Sequence, residues 1–206
     1  MNCVQGAALV LALLGAGPAF ALPVISEVFY DAAGADDGQT FIELYGTPGT
    51  SLEGLVIEGV NGADGSVTHT LVLSGSFGPD GLFVLADRTS AGTTQVADAD
   101  LLLDFDLQNG PDAVVLRGAS GVLDALGYGV FAEGEVNAGE GAPALDPPAG
   151  QSVARWFANV DTNDNASDFA AGAPTPGAAP LAVPEPASAA LLGVALLGLA
   201  RIGRRP

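Results

Sequence analysis

The sequence predicts an all-β sandwich for residues 22–178, and three observations carry that reading. Short segments rich in Val, Ile, Leu and Phe alternate apolar with polar residues. Gly, Asp, Asn and Pro punctuate the chain between them at short intervals. No stretch between residues 22 and 180 sustains the 3.6-residue period of a long amphipathic helix.

Taken in order, "PVISEVFYD" (23–31) sets Ile25 and later Phe29 against Ser26 and Glu27, with Val24 and Val28 on the opposite parity. "TFIELYG" (40–46) places Phe41, Glu43 and Tyr45 on one face and Ile42 and Leu44 on the other. "LVIEGV" (55–60), "VTHTLVL" (67–73) and "GLFVLAD" (81–87) follow. "LLLDFDL" (101–107) alternates strictly, with Leu103, Phe105 and Leu107 inward and Asp104 and Asp106 outward. "DAVVLRG" (112–118), "VLDALGYG" (122–129) and "SVARWF" (152–157) complete the set, the last with Trp156 expected in the core. Asn61-Gly62, Asp64-Gly65, Pro79-Asp80-Gly81, Asn109-Gly110 and Ser120-Gly121 are the turn signals, Asn109-Gly110 suiting a tight hairpin. Beyond Phe169, "AAGAPTPGAAPLAVPEP" is too rich in Ala, Pro and Gly to build a core and reads as an exposed, semi-rigid linker.

Both ends read as targeting segments. "MNCVQGAALVLALLGAGPAFA" (1–21) has an apolar run from Gly6 to Gly17 and a small-x-small site at Ala19-Phe20-Ala21, so it reads as a signal peptide forming a helix and cleaved after Ala21 by signal peptidase. Its n-region has no Lys or Arg, leaving positive charge to the terminal amine. Cleavage removes Cys3, the only cysteine, so the exported domain is expected to fold on its core without disulfides. Residues 179–186 form a Pro/Ala linker ending in Pro184-Glu185-Pro186. Residues 187–206 hold a second apolar helix, "ASAALLGVALLGLA" (187–200), closed by Arg201, Arg204 and Arg205. As a helix that run is about 21 Å long, short against a bilayer core of about 30 Å. It suits a transient stop in the inner membrane, with the arginines held inside and the sandwich outside.

Charge narrows the function classes. All 24 Asp and Glu lie between Glu27 and Glu185, where the basic residues are Arg88, Arg117 and Arg155; the chain has no lysine. Such a surface repels phosphate backbones, which argues against nucleic-acid partners.

The ordered landmarks of the central region resemble the lamin tail domain, an immunoglobulin-like β-sandwich. They are "VISEVFYDAAGADDGQTFIELYG" (24–46), "LEGLVIEG" (52–59), "GLFVLAD" (81–87), "LQNGPDAVVLRGASGVLDALGYG" (107–129), "GQSVARWF" (150–157) and "DTNDNASDFAAGAPTPG" (161–177). The resemblance implies an immunoglobulin-like fold and no shared catalytic apparatus; a fold of this kind confers no activity by itself. Glu43 and Asp124 fall in strands, where a carboxylate is expected at an edge or bonded to a turn, and Asp168 before Phe169 is expected to cap a turn while the Phe169 ring docks on the core. The C-terminal end is similar to the PEP-CTERM sorting signal, with Pro184-Glu185-Pro186, the apolar run, and Arg201, Arg204 and Arg205 in order. That resemblance implies processing near Pro-Glu-Pro by an exosortase-type enzyme and an association with extracellular polysaccharide.

Candidate chemistry is sparse. His69 is the single histidine, and "VTHTL" reads as an edge or solvent-facing position; no G-x-S-x-G, H-E-x-x-H or phosphate loop occurs. Asp36-Asp37, Asp98/Asp100, Asp104/Asp106 and Glu133/Glu135 are the carboxylate pairs a polysaccharide hydrolase would need. With one Trp and three Tyr, an aromatic sugar cleft is hard to assemble, and a solvated acidic surface is the plainer reading. "DTNDNASD" (161–168) sets Asp161, Asn163 and Asn165 at the 1, 3, 5 spacing of a calcium loop, with Asp168 as a further oxygen ligand; Ala166 and Gly172 depart from that loop. The alternative is an Asx-turn run that bonds its own backbone. The expectation is therefore a non-enzymatic, exported surface or matrix protein without a required cofactor. A calcium-dependent adhesion module is the alternative and a carboxylate-based polysaccharide hydrolase the third.

Overall fold

Two β-sheets face one another across a shared apolar core. A computed structural model describes residues 22–183, with β1 (Val24–Phe29), β2 (Phe41–Tyr45), β3 (Val56–Asn61), β4 (Val67–Val72), β5 (Leu82–Asp87), β6 (Leu101–Leu103), β7 (Asp112–Gly118), β8 (Gly121–Tyr128), β9 (Ser152–Arg155), the single-turn α1 (Asn165–Asp168) and β10 (Phe169–Gly172). One sheet runs β10-β9-β1-β2-β5-β6, the other β4-β3-β7-β8. Pairing is antiparallel except between β5 and β6. The proposed signal helix (1–21) and the apolar helix with its arginines (187–206) lie outside the described residues. Among the described residues no helix is long and apolar enough to cross a membrane.

Alternation decides which side chains meet. Ile25, Val28, Ile42, Leu44, Phe83 and Leu85 from the first sheet interleave with Ile57, Leu71, Val114, Leu116 and Leu126 from the second. β1 is buried along its whole length, and a bulge between Ile25 and Glu27 explains its mixed pattern. The inserted residue flips the parity, so Ile25 and Val28 both reach the core. Behind β1, β2 and β5, a second cluster of Phe29, Phe41, Val84 and Ala86 is roofed by Val96, Ala99 and Leu102. The central strands are thus covered on both faces. Tyr30 and Tyr128 stack at 4.2 Å near one end of the sandwich, a geometry that adds to their burial.

Several expectations need correction. The ninth strand stops at Arg155 and is not the last, because "FAAG" pairs with it as β10. β6 covers only residues 101–103; Phe105 and Leu107 are buried from the irregular chain after it. Gly110 does take the positive φ of a turn, +77°, but Asn109-Gly110 carries the chain from one sheet to the other rather than closing a hairpin. Trp156 is not in the core: it is 61% exposed, while its neighbour Arg155 is buried. Nor is the segment beyond Phe169 a free linker, because the body holds it as far as Ala182.

Candidate functional site

Arg155 on β9 is the hub of a buried polar cluster. Its Nη2 donates to both carboxylate oxygens of Asp124, each at 2.9 Å. Its Nη1 donates to Asp168 Oδ2 at 2.9 Å, the Val160 carbonyl at 3.2 Å and Asp161 Oδ1 at 3.4 Å. Nε donates to the Ile25 carbonyl at 2.8 Å, so the whole guanidinium fork is engaged. The ring of Phe169 lies 4.5 Å from the guanidinium carbon, a cation–π contact. Asp124 belongs to β8 in one sheet and Arg155 to β9 in the other, so the pair staples the sandwich together. The partners are satisfied in turn. Asp124 accepts from the Ile25 and Ala125 N–H groups, and Asp168 from the N–H and hydroxyl of Thr162.

This arrangement locates the residues proposed for calcium. Asp161 and Asp168 are brought together, around Arg155. Asp161 Oδ1 also accepts from the Asn163 N–H at 3.0 Å, the Asx turn that the local sequence favours, with Asn163 at φ +57°. Asn165 points elsewhere: its Oδ1 accepts from Gly127 and Glu140 N–H, and its Nδ2 donates to the Ala125 carbonyl. The carboxylates that share one place are instead Asp124, Glu140 and Asp161, with ligand oxygens within 4.8 Å of one another. Glu140 has no sequence signal; a loop delivers it from 16 residues beyond Asp124. Burial, followed by the charges of Asp124 and Asp161, pushes its carboxyl up to about 7. Its buried Oε2 has no partner among the described residues. Burial also raises Asp124, against the opposing pull of Arg155.

A second set of buried carboxylates holds the chain's way out. Glu27 and Glu43 face each other across β1 and β2. Glu43 accepts from the Ser26 hydroxyl at 2.6 Å and the Gly177 N–H at 2.7 Å. Glu27 accepts from Ser152 and from both the N–H and hydroxyl of Thr175, the latter two at 2.9 and 2.7 Å. Burial pushes Glu43 up to about 7, with Glu27 and Asp80 adding and the two hydrogen bonds opposing. Gly177 sits at φ +79°, and a Cβ there would lie 2.9 Å from Asp98 Cβ, so only glycine fits without a shift. Further on, the Ala158 N–H donates to the Pro180 carbonyl, and Asn159 exchanges two hydrogen bonds with Ala182. Residues 175–182 therefore form a docked strap.

Of the remaining candidates, two carboxylate pairs come together and the others lie apart. Asp36, Asp37, Asp104 and Asp106 line one cleft of about 270 Å³ together with Asp87, with Phe105 its one aromatic wall. Asp36 and Asp87 bond backbone N–H groups there. Asp100 holds the Val84 N–H and Glu135 the Ala132 N–H. His69 lies on the edge strand β4, its Nδ1 3.2 Å from Thr68 Oγ1. Ala19 and Ala21, with Pro184, Glu185, Pro186, Arg201, Arg204 and Arg205, lie outside the described residues.

Residues 182–205 match the PEP-CTERM protein-sorting motif. That match covers the three-part C-terminal signal, and no lamin tail match accompanies it. No curated protein matches the chain. The motif points to an exported, surface-directed protein processed by an exosortase-type enzyme. It begins at Ala182, the last residue that the strap pins to the body.

Proposed function

We propose that this chain is a non-enzymatic exported protein, sorted by an exosortase-type system to the cell surface or the extracellular polysaccharide matrix, where it acts as a structural or interaction module. The match of residues 182–205 to the sorting motif carries the reading. In support, Arg155, Asp124 and Asp168 join the two sheets and Glu27 and Glu43 dock the strap, which is structural work. The ordered landmarks from "VISEVFYD" to "APTPG" support an immunoglobulin-like, lamin-tail-like identity for the sandwich. A calcium-dependent module is the second reading. The grouping of Asp124, Glu140 and Asp161 favours it; the guanidinium already seated among those carboxylates opposes it.

The test is the intact mass of the protein recovered outside the inner membrane of a cell bearing the sorting machinery. A chain beginning at Leu22 and ending near Pro186 supports the proposal, and extra mass at that end would identify a covalent attachment. A membrane-bound chain intact through Pro206 would overturn sorting and leave a tethered module.

A further inference from the structure

The point where the chain leaves the body is unusually apolar. Trp156 (61% exposed), Phe157 (45%), Leu181 (43%) and Val183 (84%) all present large side chains to solvent. They form one neighbourhood, because the Ala158–Pro180 and Asn159–Ala182 hydrogen bonds lay the 156–159 segment beside 180–182. Trp156 also borders an open groove of about 630 Å³ whose other wall is Ala178, Ala179 and Pro180. Val130 and Leu145 share a second groove with Phe131, but the sorting segment does not follow them in sequence. Val67, Val72 and Val122 are single exposed side chains on the outer strands β4 and β8 and need no special account. An apolar cluster with two aromatics at a chain exit does need one.

We infer that this patch seats the body on the lipid–water interface of the membrane that the sorting segment enters. The inference rests on the proposed transient anchoring of that segment. Val183 is followed by Pro184-Glu185-Pro186 and then directly by the apolar run from Ala187. Four residues reach at most about 14 Å, so once the run is in the bilayer the patch is held within reach of the headgroups. Trp rings sit at that level, and Phe and Leu bury their side chains at the headgroup–acyl boundary beside it. The strap fixes the exit point: with Thr175, Gly177, Pro180 and Ala182 all bonded to the body, the short tether brings this face nearest the membrane. Tethering also makes contact intramolecular, so a small patch suffices. No Lys or Arg lies in 156–161 or 177–183, whereas Asp161 does. The seating is therefore hydrophobic and should weaken on anionic lipid.

Trp156 is the only tryptophan, so its fluorescence reports this site alone. The full chain would be reconstituted into phosphatidylcholine vesicles with brominated acyl chains, with flotation measured in parallel. The expected result is co-flotation, a blue-shifted emission and quenching by the brominated lipid. Less quenching is expected with added phosphatidylglycerol, and emission close to that in water for Phe157→Asp/Leu181→Asp, whose changes fall on exposed positions. Co-flotation with unquenched, water-like emission overturns the seating while leaving the anchor intact. Absence of flotation overturns the anchor reading itself. Blue-shifted, concentration-dependent emission without lipid means a second copy covers the patch, and also overturns it.

Discussion

Replacing Arg155 by Met keeps most of the aliphatic stem and removes the charge that two sheets share. Asp124 and Asp168 would be left buried without their counter-charge, and breaking a buried pair in this way typically costs about 3–5 kcal/mol. Each carboxylate keeps two other donors, which sets the expected loss near the lower end, about 3 kcal/mol. The Ile25 and Val160 carbonyls also lose a donor. For a domain of this size each kcal/mol moves the melting temperature by roughly 2–4 °C, so the midpoint should fall by about 6–12 °C. The measurement is urea unfolding at two pH values together with a thermal scan. With no guanidinium opposing burial, the Asp124 carboxyl, already raised by burial, holds its proton to higher pH folded than unfolded, so stability falls as pH rises. The deficit should therefore be smaller at pH 4 than at pH 8. Adding Asp124→Asn should recover part of the loss, with a coupling of about 0.5–3 kcal/mol. A loss below about 1 kcal/mol, or strict additivity in the cycle, would refute the staple.

Three further outcomes follow from the strap and the acidic clusters. Gly177→Ala forces a Cβ onto Asp98 at positive φ and should cost about 1–3 kcal/mol of local stability, read as faster proteolysis within 173–183 while the body's melting temperature holds. Glu43 is fully buried and its carboxyl is raised from 4.5 to about 7. The folded state then keeps a proton that the unfolded state has released, so stability should fall between about pH 4.5 and 7 and level off above, by at most about 3 kcal/mol; pH-dependent urea unfolding should show the fall flattened in Glu43→Gln. Millimolar calcium should leave the melting temperature unchanged, because Asp161, Asn165 and Asp168 already bond protein donors; a rise of several degrees would favour the calcium-dependent reading instead.

What was legible in the sequence was local and periodic. Strands such as "FIELY" and "DAVVLRG" announce themselves as short, largely apolar runs between turn signals, and both appear as read. The sorting signal is linear, so its residues could be named without a fold. β10 escaped because "FAAG" is short, small and unpatterned; it becomes a strand by lying against β9. The exchange of roles between Arg155 and Trp156 has a similar cause. Composition rules put an aromatic inside and a charge outside. They cannot foresee that Asp124, 31 residues before Arg155, and Asp168, 13 residues after, converge on one guanidinium. Glu27 and Glu43 read as polar positions in strands, yet their roles depend on Thr175 and Gly177, more than 130 residues away.

The same partition of charge constrains what the exported body can hold. Of its three arginines, Arg155 is consumed by the interior and Arg117 pairs with Glu58, leaving Arg88 outside any ion pair among the described residues. The outward face is therefore acidic almost without compensation. It repels uronate- or phosphate-bearing polymers over roughly a Debye length, about 8–10 Å in ordinary salt. If a polysaccharide matrix is the partner, its contacting chains should be neutral or cationic. Retention of the processed protein on a neutral glucan, a chitosan and an alginate column at low and high salt separates the cases. Retention on chitosan that is lost in salt, or on the glucan that survives it, fits this surface. Salt-sensitive retention on alginate alone would mean that the acidic face is not the one that meets the matrix.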